Sequence, residues 1–322
     1  MQMLKLVLIA FVISACQTVK PVKISEPTTP VEPAARLTTI PFTVHDNRIL
    51  VEVMLNGKGP FMMVFDTGGA NTITPAVQRQ LNIPSQGLDL ASGAGEQQVP
   101  VRSVHMHKMQ IGDLRMIDQK FMVINLEKIR RAFRFPRLDG IIGYELLQRG
   151  RVRVDFDHQE LQVFEASTQP AILEAGAQVL KFDLVDDKPL VEGKINNIPA
   201  KILVDTGDRS NLTLFRKYAT DSKLENLFAS RGALLTGMGI GGPIRGKIAS
   251  IQKVDLGPEQ VNDVLARLPL TKSGYFYQSD ISASVGLGLL KAYNLEFDYQ
   301  NHILALEKRK DFKETSTFVP VR

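Results

Sequence analysis

Two short loops in this sequence carry the residues best suited to chemistry. Each is an aspartate followed by threonine and glycine, Asp66-Thr67-Gly68 and Asp205-Thr206-Gly207, and each follows an apolar run. A carboxylate placed against apolar residues must be compensated, and one buried this way is usually used. The glycine lets the backbone turn tightly, so that amide groups can bond the carboxylate. One such triplet alone would suit an ordinary strand-to-turn aspartate, but two copies at equivalent places predict a functional pair.

The triplets belong to an internal repeat that covers most of the chain. In the first copy, residues 50–57 precede Asp66, and an apolar segment with Gly143 and then residues 154–163 follow. In the second copy, residues 190–197 precede Asp205, and Gly288 and residues 295–304 follow. Self-similarity of this kind indicates two related structural units.

The elements that must position the triplets are mostly short β-type runs separated by turn residues. We predict strands at Ile49–Leu55, Phe61–Phe65, Val152–Phe156, Leu161–Phe164, Ile202–Val204 and Ile303–Leu306. Short helices are predicted at Pro75–Leu81, Leu126–Phe133 and Leu212–Ala219. The fold class is therefore mainly β.

These features together resemble retropepsin-like and pepsin-like aspartic proteases. The resemblance covers nearly all of residues 38–308 and includes the glycine signatures Ile141-Ile142-Gly143 and Gly286-Leu287-Gly288. It implies a two-lobed, pseudo-twofold β-barrel fold in which Asp66 and Asp205 are catalytic and share one water. It also implies that Thr67 and Thr206 hydrogen-bond across to the opposite loop, and that each signature glycine lies beneath its own aspartate loop.

The resemblance also assigns boundaries along the chain. We expect an N-terminal lobe over residues 38–167, a linker over 168–180, a C-terminal lobe over 181–310 and a tail over 311–322. Because both triplets lie in one chain, the pair of aspartates is expected to form in a monomer.

Each repeat has a glycine-rich stretch between its aspartate and its signature glycine. These are residues 91–98, with Gly93 and Gly95, and residues 237–246, with Gly239, Gly241 and Gly242. Glycine supports tight hairpin tips. The resemblance makes both stretches candidate flaps over a bound peptide, and plain surface hairpins are the alternative.

The second aspartate loop departs from the family pattern. After Gly207 the chain reads Asp208-Arg209-Ser210, where the family prefers a small residue first. The extra acid could raise the pKa of Asp205, or Arg209 could offset it. This loop is the place where catalysis is least assured.

The N-terminus has the order of a bacterial lipoprotein signal. Lys5 precedes an apolar run over residues 6–13, which is too short to span a bilayer permanently, and the chain's single cysteine, Cys16, follows small residues. Residues 1–15 therefore resemble a signal peptide, with a lipid expected on Cys16 and a proline-rich tether over residues 16–37. The resemblance implies an envelope lipoprotein, on the outer membrane facing the periplasm where the cell has one.

Composition and the remaining motifs exclude other classes. A net charge of +5 is too weak and too spread for a nucleic-acid binder. No acid or cysteine at metal spacing accompanies His105 and His107, so we predict no metal and no cofactor. The basic run over residues 128–137 is interpreted as a solvated helix face, although it would also suit a phosphate-rich lipid or an acidic partner. The glycines at 237–242 lack the frame of a dinucleotide site.

The favoured function is an aspartic endopeptidase that is lipid-anchored in the cell envelope and acts on peptides or proteins. The main alternative is a peptide-binding or regulatory lipoprotein that kept the cleft and lost efficient chemistry. A structural envelope lipoprotein is a weaker third hypothesis. Intact carboxylates in both loops favour the enzyme.

Overall fold

Most of the regular structure in this protein is β-strand, which confirms the predicted class. A computed structural model describes residues 36–165 and 176–312. The first of these stretches contains β1 (Arg36–Pro41), β2 (Thr43–Val44), β3 (Ile49–Leu55), β4 (Lys58–Phe65), β5 (Thr72–Ile73), α1 (Pro75–Leu81), β6 (Gln86–Ala91), β7 (Val99–Ile111), β8 (Leu114–Val123), α2 (Glu127–Ala132), β9 (Gly140–Ile142), α3 (Tyr144–Leu147), β10 (Gly150–Asp155) and β11 (Glu160–Glu165).

The second stretch repeats the same series of elements. It contains β12 (Gln178–Val185), β13 (Lys188–Ile195), β14 (Ile198–Asp205), β15 (Leu212–Leu214), α4 (Arg216–Asp221), β16 (Leu234–Gly239), β17 (Gly242–Leu256), β18 (Glu259–Pro269), β19 (Ala283–Gly286), α5 (Leu287–Leu290), β20 (Tyr293–Asp298) and β21 (Ile303–Lys308). Two 3₁₀ helices, Leu224–Phe228 and Tyr275–Tyr277, lie on either side of β17 and β18.

Each stretch closes a six-stranded barrel. The first barrel runs β3-β4-β9-β5-β8-β7 and closes where β7 pairs with β3. The second barrel runs β13-β14-β19-β15-β18-β17 and closes where β17 pairs with β13. Corresponding strands occupy corresponding places in the two rings. In both rings, the strand that leads into an aspartate lies parallel to a short strand near the end of the repeat.

A run of strands that continues from the second barrel through the β12–β13 pairing joins the two repeats. Its order is β1-β11-β10-β20-β21-β12, and β10 pairs antiparallel with β20 from the other repeat. Val152 faces Phe297 across this junction, and both side chains are fully buried. The two repeats are therefore held together by backbone hydrogen bonds as well as by apolar contacts.

Local sequence explains why these elements form. Strand β3 alternates into the barrel core, and Asn56-Gly57 at positive φ turns the chain into β4. Helix α1 begins after Thr74, whose hydroxyl accepts a hydrogen bond from the Val77 amide, and ends at Asn82 in the left-handed conformation. Turn residues at the hairpins and apolar alternation between them thus specify the barrel strands.

Five of the predicted strands lie within observed ones, and the sixth, Val152–Phe156, overruns its strand by a single residue at the C-terminal end. The helix at Pro75–Leu81 is confirmed, and that at Leu126–Phe133 is observed as Glu127–Ala132. The helix at Leu212–Ala219 is wrong in its first part, because Leu212–Leu214 forms a strand and the helix begins only at Arg216. The segment Leu212-Thr213-Leu214 is wholly buried between β18 and β19, and over three residues periodicity cannot separate such a strand from a buried helix.

Several predictions fall on parts of the chain that the structure does not describe. The signal peptide, Cys16 and nearly all of the tether lie outside the described residues, as do most of the linker and of the tail. Strand β1 begins at Arg36 and β12 at Gln178, so each takes in the last residues assigned to the tether and the linker. Within the described residues, no helix combines the length and the apolar character needed to cross a membrane.

Candidate active site

The two Asp-Thr-Gly loops face each other through a reciprocal set of hydrogen bonds. The Thr67 hydroxyl donates to the Val204 carbonyl at 2.7 Å and accepts from the Thr206 amide at 3.0 Å. The Thr206 hydroxyl donates to the Phe65 carbonyl at 2.9 Å and accepts from the Thr67 amide at 3.0 Å. Both threonines are fully buried. Each loop is therefore fixed by the main chain of the other.

These reciprocal hydrogen bonds bring the Asp66 and Asp205 carboxyls into mutual hydrogen-bond contact. The Gly68 amide donates to Asp66 Oδ1 at 2.9 Å, and the Gly207 amide donates to Asp205 Oδ1 at 2.8 Å. A Cβ on Gly68 would lie 2.8 Å from the Asp205 carboxyl carbon, and one on Gly207 would overlap the Asp66 carboxyl. Only glycine fits at these two positions while the carboxyls stay this close.

Burial raises the pKa of both carboxyls, and the effect is larger at Asp205. Asp205 also faces the negative charges of Asp66 and Asp208, which raise its pKa further. The pKa of Asp66 is raised by burial, while the positive charges of Arg48 and Lys188 act to lower it. Two carboxyls this close cannot both ionise easily, so the pair keeps one proton. The charges around the two carboxyls differ, because the cations Arg48 and Lys188 act on Asp66 and the anion Asp208 acts on Asp205.

The extra acid in the second loop has a different counter-ion from the one expected. Asp208 is buried and accepts from Arg267 Nη2 at 2.9 Å and from the Thr213 hydroxyl at 2.6 Å. Burial acts to raise the Asp208 pKa, but Arg267 and the hydrogen bonds outweigh it and hold that pKa below its usual range. Arg209 instead bonds Asp46 at 2.5 Å. The hypothesis that Arg209 offsets Asp208 is therefore wrong.

Arg209 has a structural task of its own. It shares Asp46 with Arg48, whose guanidinium lies 2.7 Å from the same carboxylate. Both guanidinium groups lie over the Phe133 ring, at 4.1 Å for Arg48 and 5.3 Å for Arg209. The Asn47 amide donates to the Arg209 carbonyl at 2.9 Å. The turn before β3 is thus bonded to the second aspartate loop.

The glycine beneath each aspartate loop lies where the family pattern implies, but the predicted pairing of the two copies is wrong. A Cβ on Gly143 would collide with the Gly69 carbonyl, three residues after the first aspartate. In the second copy Gly286 makes the equivalent approach, to the Asp208 carbonyl. Gly288 lies two residues further on. The signature of the second copy is therefore Ser284-Val285-Gly286, which the sequence repeat misaligned by two positions.

The two candidate flaps meet each other over the aspartates. The Gly95 amide donates to the Ile240 carbonyl at 2.8 Å, and the Gln97 amide donates to the Gly241 carbonyl at 3.1 Å. Gly93 lies against Ile240, and a Cβ on Gly95 would overlap the main chain of Gly241. Glycine allows this backbone-to-backbone contact.

The other two flap glycines lie in the second hairpin. Gly239 packs against Ala94 of the first flap, whereas Gly242 has open space around it and a φ of 113°. The first flap is also held from below, since its Gly93 carbonyl accepts from the Tyr275 amide at 3.1 Å. The structure therefore shows both flaps in contact.

Beneath the flaps lies a cavity of about 490 Å³ that contains both aspartates. Its walls are largely apolar and come from both barrels. Helix α2 and the residues around it form one wall, and β17 with the 3₁₀ helix at Tyr275–Tyr277 forms the other. The apolar lining includes Val64, Met122, Leu126, Ile129, Phe133, Phe135, Leu138, Ile141, Met238, Ile240, Ile244 and Phe276. Such a cavity suits an extended chain with apolar side chains on both sides of the carboxyl pair.

Sequence reasoning missed three polar residues in this wall. Arg267 lies on β18, far from the triplets in sequence. Tyr275 and Gln278 also line the cavity, and in the described part of the chain the Tyr275 hydroxyl and the Gln278 Nε2 are buried without a hydrogen-bond partner. No local motif marks any of the three. The run of three aromatic residues, Tyr275-Phe276-Tyr277, within a mostly polar loop is the signal that could have found them.

Two other sequence features have their polar side chains outside the cavity lining. His105 and His107 both lie beside the Asp118 carboxylate across the hairpin, at 3.2 and 3.4 Å. No group of residues in the described ranges has the arrangement of a metal site. In the basic run, Lys128, Arg131, Arg134 and Arg137 are exposed, in agreement with a solvated face.

Comparison with known proteins gives one match. Residues 51–146 match the sequence model of a family described as Aspartyl protease. The matched segment contains Asp66, the first flap and Gly143, and so it supports the similarity to aspartyl proteases for the first barrel. No curated protein matches the chain.

Proposed function

We propose that this protein is an aspartic endopeptidase that hydrolyses peptide bonds with a water activated between Asp66 and Asp205. The observation that carries the proposal is the reciprocal bonding of Thr67 and Thr206, which holds two carboxyls in contact at the floor of a cavity. A pair of coupled carboxyls with raised pKa values is a costly arrangement that suits acid–base chemistry.

The chemistry follows from the surroundings of each carboxyl. Asp66, on the side of Arg48 and Lys188, takes a proton from the water. Asp205 carries the shared proton, hydrogen-bonds the carbonyl of the scissile peptide with it, and gives it to the carbonyl oxygen as the water attacks. Attack gives a tetrahedral gem-diol, and no bond forms between enzyme and substrate. Collapse of this species breaks the C–N bond as Asp66 gives the proton it took from the water to the leaving nitrogen and Asp205 takes a proton back from the gem-diol.

Peptide selection in this proposal rests on the flaps and the walls. Backbone amides and carbonyls at the flap tips suit an extended peptide, and the contact between the flaps would have to open to admit one. Closure over the peptide then excludes water from the carboxyl pair.

The finer architecture belongs to the same proposal. The matching order of strands supports a two-lobed, pseudo-twofold arrangement, with lobes over residues 38–167 and 181–310. Since both aspartates come from one chain, a monomer suffices. We also propose that Cys16 carries a lipid, and that the enzyme acts in the cell envelope on peptides or proteins near one membrane.

The second candidate is a peptide-binding protein with the same cavity and weak or no chemistry. The Asp208-Arg209 sequence and the predicted tether motivate this candidate, and the Arg267 counter-ion of Asp208 weakens the first of these two grounds. The observation that still favours this candidate is the closed contact between the flaps.

The deciding experiment uses a diverse peptide library from about pH 3 to about pH 8. We expect cleavage by the wild-type protein and its loss in Asp66→Asn and in Asp205→Asn. Asp183→Asn, at an exposed carboxyl outside the cavity, serves as the matched control and should cleave like the wild type. Equal cleavage by wild type and Asp66→Asn would disprove the proposed mechanism. Binding without cleavage would favour the second candidate.

A further inference from the structure

The second barrel contains a buried ion pair beside its aspartate. Asp208 and Arg267 are 6% and 4% exposed, and the Thr213 hydroxyl bridges them by donating to Asp208 and accepting from Arg267 Nε at 2.7 Å. The Ser210 amide adds a third hydrogen bond to the Asp208 carboxylate, at 3.0 Å. A buried charge pair with these hydrogen bonds is a fixed element, because moving either partner would leave the other as an unpaired buried charge.

The first barrel has no charge at the equivalent positions. Thr213 pairs with Arg267 on β18, and its counterpart Thr72 pairs with Met122 on β8. Gly69 follows Asp66 by three residues, as Asp208 follows Asp205, so Gly69 is the counterpart of Asp208. The two halves of the site therefore match in backbone and differ in charge.

The ion pair reaches the aspartate through the main chain. The Asp208 amide donates to Asp205 Oδ1 at 3.1 Å, so the residue whose side chain is locked to Arg267 also holds the Asp205 carboxyl. Any shift of the Asp208 side chain would move this hydrogen bond. The Arg267 guanidinium is itself fixed over the Phe276 ring, 5.2 Å from its centre.

We propose that the Asp208–Arg267 pair is the positioning element that makes the two aspartates unequal, so that Asp205 keeps the shared proton and Asp66 acts as the base. The role of Asp66 as the base rests on the proposed function, whereas the placement of the shared proton on Asp205 does not.

Other charges around the two aspartates also favour the shared proton on Asp205. Arg48 and Lys188 face Asp66 and stabilise its ionised form, whereas the nearest charge of the second loop to Asp205 is the anion of Asp208. The Tyr275 phenol also lies near both carboxyls and stays neutral because burial raises its pKa. Asp186, in the cavity lining, is a more distant acid, and Arg209 is occupied by Asp46. The Asp208 and Gly207 amides, which donate to Asp205 Oδ1, act the other way and favour its ionised form, so it is the Asp208 carboxylate charge that favours the proton on Asp205.

The test follows the ¹³C signals of the Asp66 and Asp205 carboxyls by NMR from about pH 3 to about pH 8, together with the pH profile of peptide cleavage. The variants are Asp208→Asn, which keeps the shape, Arg267→Met, which copies Met122, and the double variant. Arg153→Met is the control, because it breaks the Arg153–Glu307 ion pair in the sheet between the barrels, outside the cavity.

In the wild type, the Asp205 signal should titrate last. Asp208→Asn removes an anion and leaves the cation of Arg267, so the Asp205 midpoint and the alkaline limb of activity should fall by roughly one pH unit. The Asp205 midpoint of the double variant should lie between that of Asp208→Asn and that of the wild type. The double variant also decides the question if a single variant fails to fold. Arg153→Met should leave every midpoint unchanged.

Two outcomes would overturn the inference. One is an Asp66 signal that titrates last in the wild type, and the other is an unchanged Asp205 midpoint in both Asp208→Asn and the double variant. A loss of activity by the same factor at every pH, with unmoved midpoints, would mean that the ion pair only supports the fold. Correct titration in a protein that cleaves nothing would instead leave the inference standing and refute the proposed protease.

Discussion

Replacing Thr67 by valine tests the bonding between the two aspartate loops without touching either carboxyl. Valine has nearly the same shape as threonine, so packing is preserved while the hydroxyl is lost. That hydroxyl serves two buried main-chain groups of the opposite loop, the Val204 carbonyl and the Thr206 amide. The change therefore leaves one buried acceptor and one buried donor without partners.

The size of the effect follows from these two groups. An unsatisfied buried polar group costs roughly 1–3 kcal/mol, so Thr67→Val should lower the free energy of unfolding by about 2–6 kcal/mol. For a domain of this size, each kcal/mol corresponds to a fall in Tm of roughly 2–4 °C. Thr67→Ser keeps the hydroxyl and loses a methyl group, which should cost only about 1 kcal/mol.

Urea unfolding followed by fluorescence or circular dichroism measures the difference. Thr38→Val is the matched control, because Thr38 is buried and its hydroxyl has no hydrogen-bond partner among the described residues. This control should be neutral or slightly stabilising. If Thr67→Val proves as stable as Thr67→Ser, the reciprocal hydrogen bonds do not hold the loops together, and the carboxyl contact needs another cause.

Three further predictions concern the same site. The pKa of Asp205 is raised in the folded state, so folding stability is lost as pH rises from the ordinary carboxyl range through the raised pKa. Asp205→Asn should therefore have a higher Tm than the wild type at neutral pH. Near about pH 3 the two proteins should have the same Tm. A wild type that is equally or more stable at neutral pH would contradict this sign. Gly95→Val places a side chain against Gly241 and should hold the flaps apart, raising KM for a peptide roughly tenfold, while Gly232→Ala, with open space around it, should change nothing. Tyr275→Phe removes a buried hydroxyl without a partner in the described chain, so the free energy of unfolding should stay constant or rise by up to about 1 kcal/mol, and a clear loss would reveal a missing partner.

Much of the site could be predicted from the residues alone because the information is local and written twice. The Asp-Thr-Gly triplets and the apolar runs before them are contiguous, and the repeat shows that they are equivalent. The pattern of apolar residues and the turn residues also predict most strands. Errors arose where an apolar segment was short, as at Leu212–Leu214, or where an insertion shifted the alignment, as at Gly286.

Charge partners were decided only by the tertiary structure. Asp208 and Arg209 are adjacent in sequence, which suggested that they offset each other, yet Asp208 bonds Arg267 and Arg209 bonds Asp46. The reason is geometric, because successive side chains in an extended loop point in different directions and meet whatever the neighbouring strands present. Arg267 reaches Asp208 only because β18 lies beside β15 in the closed barrel. Sequence alone thus predicted which two aspartates form the site, and the fold decided which charges surround each of them.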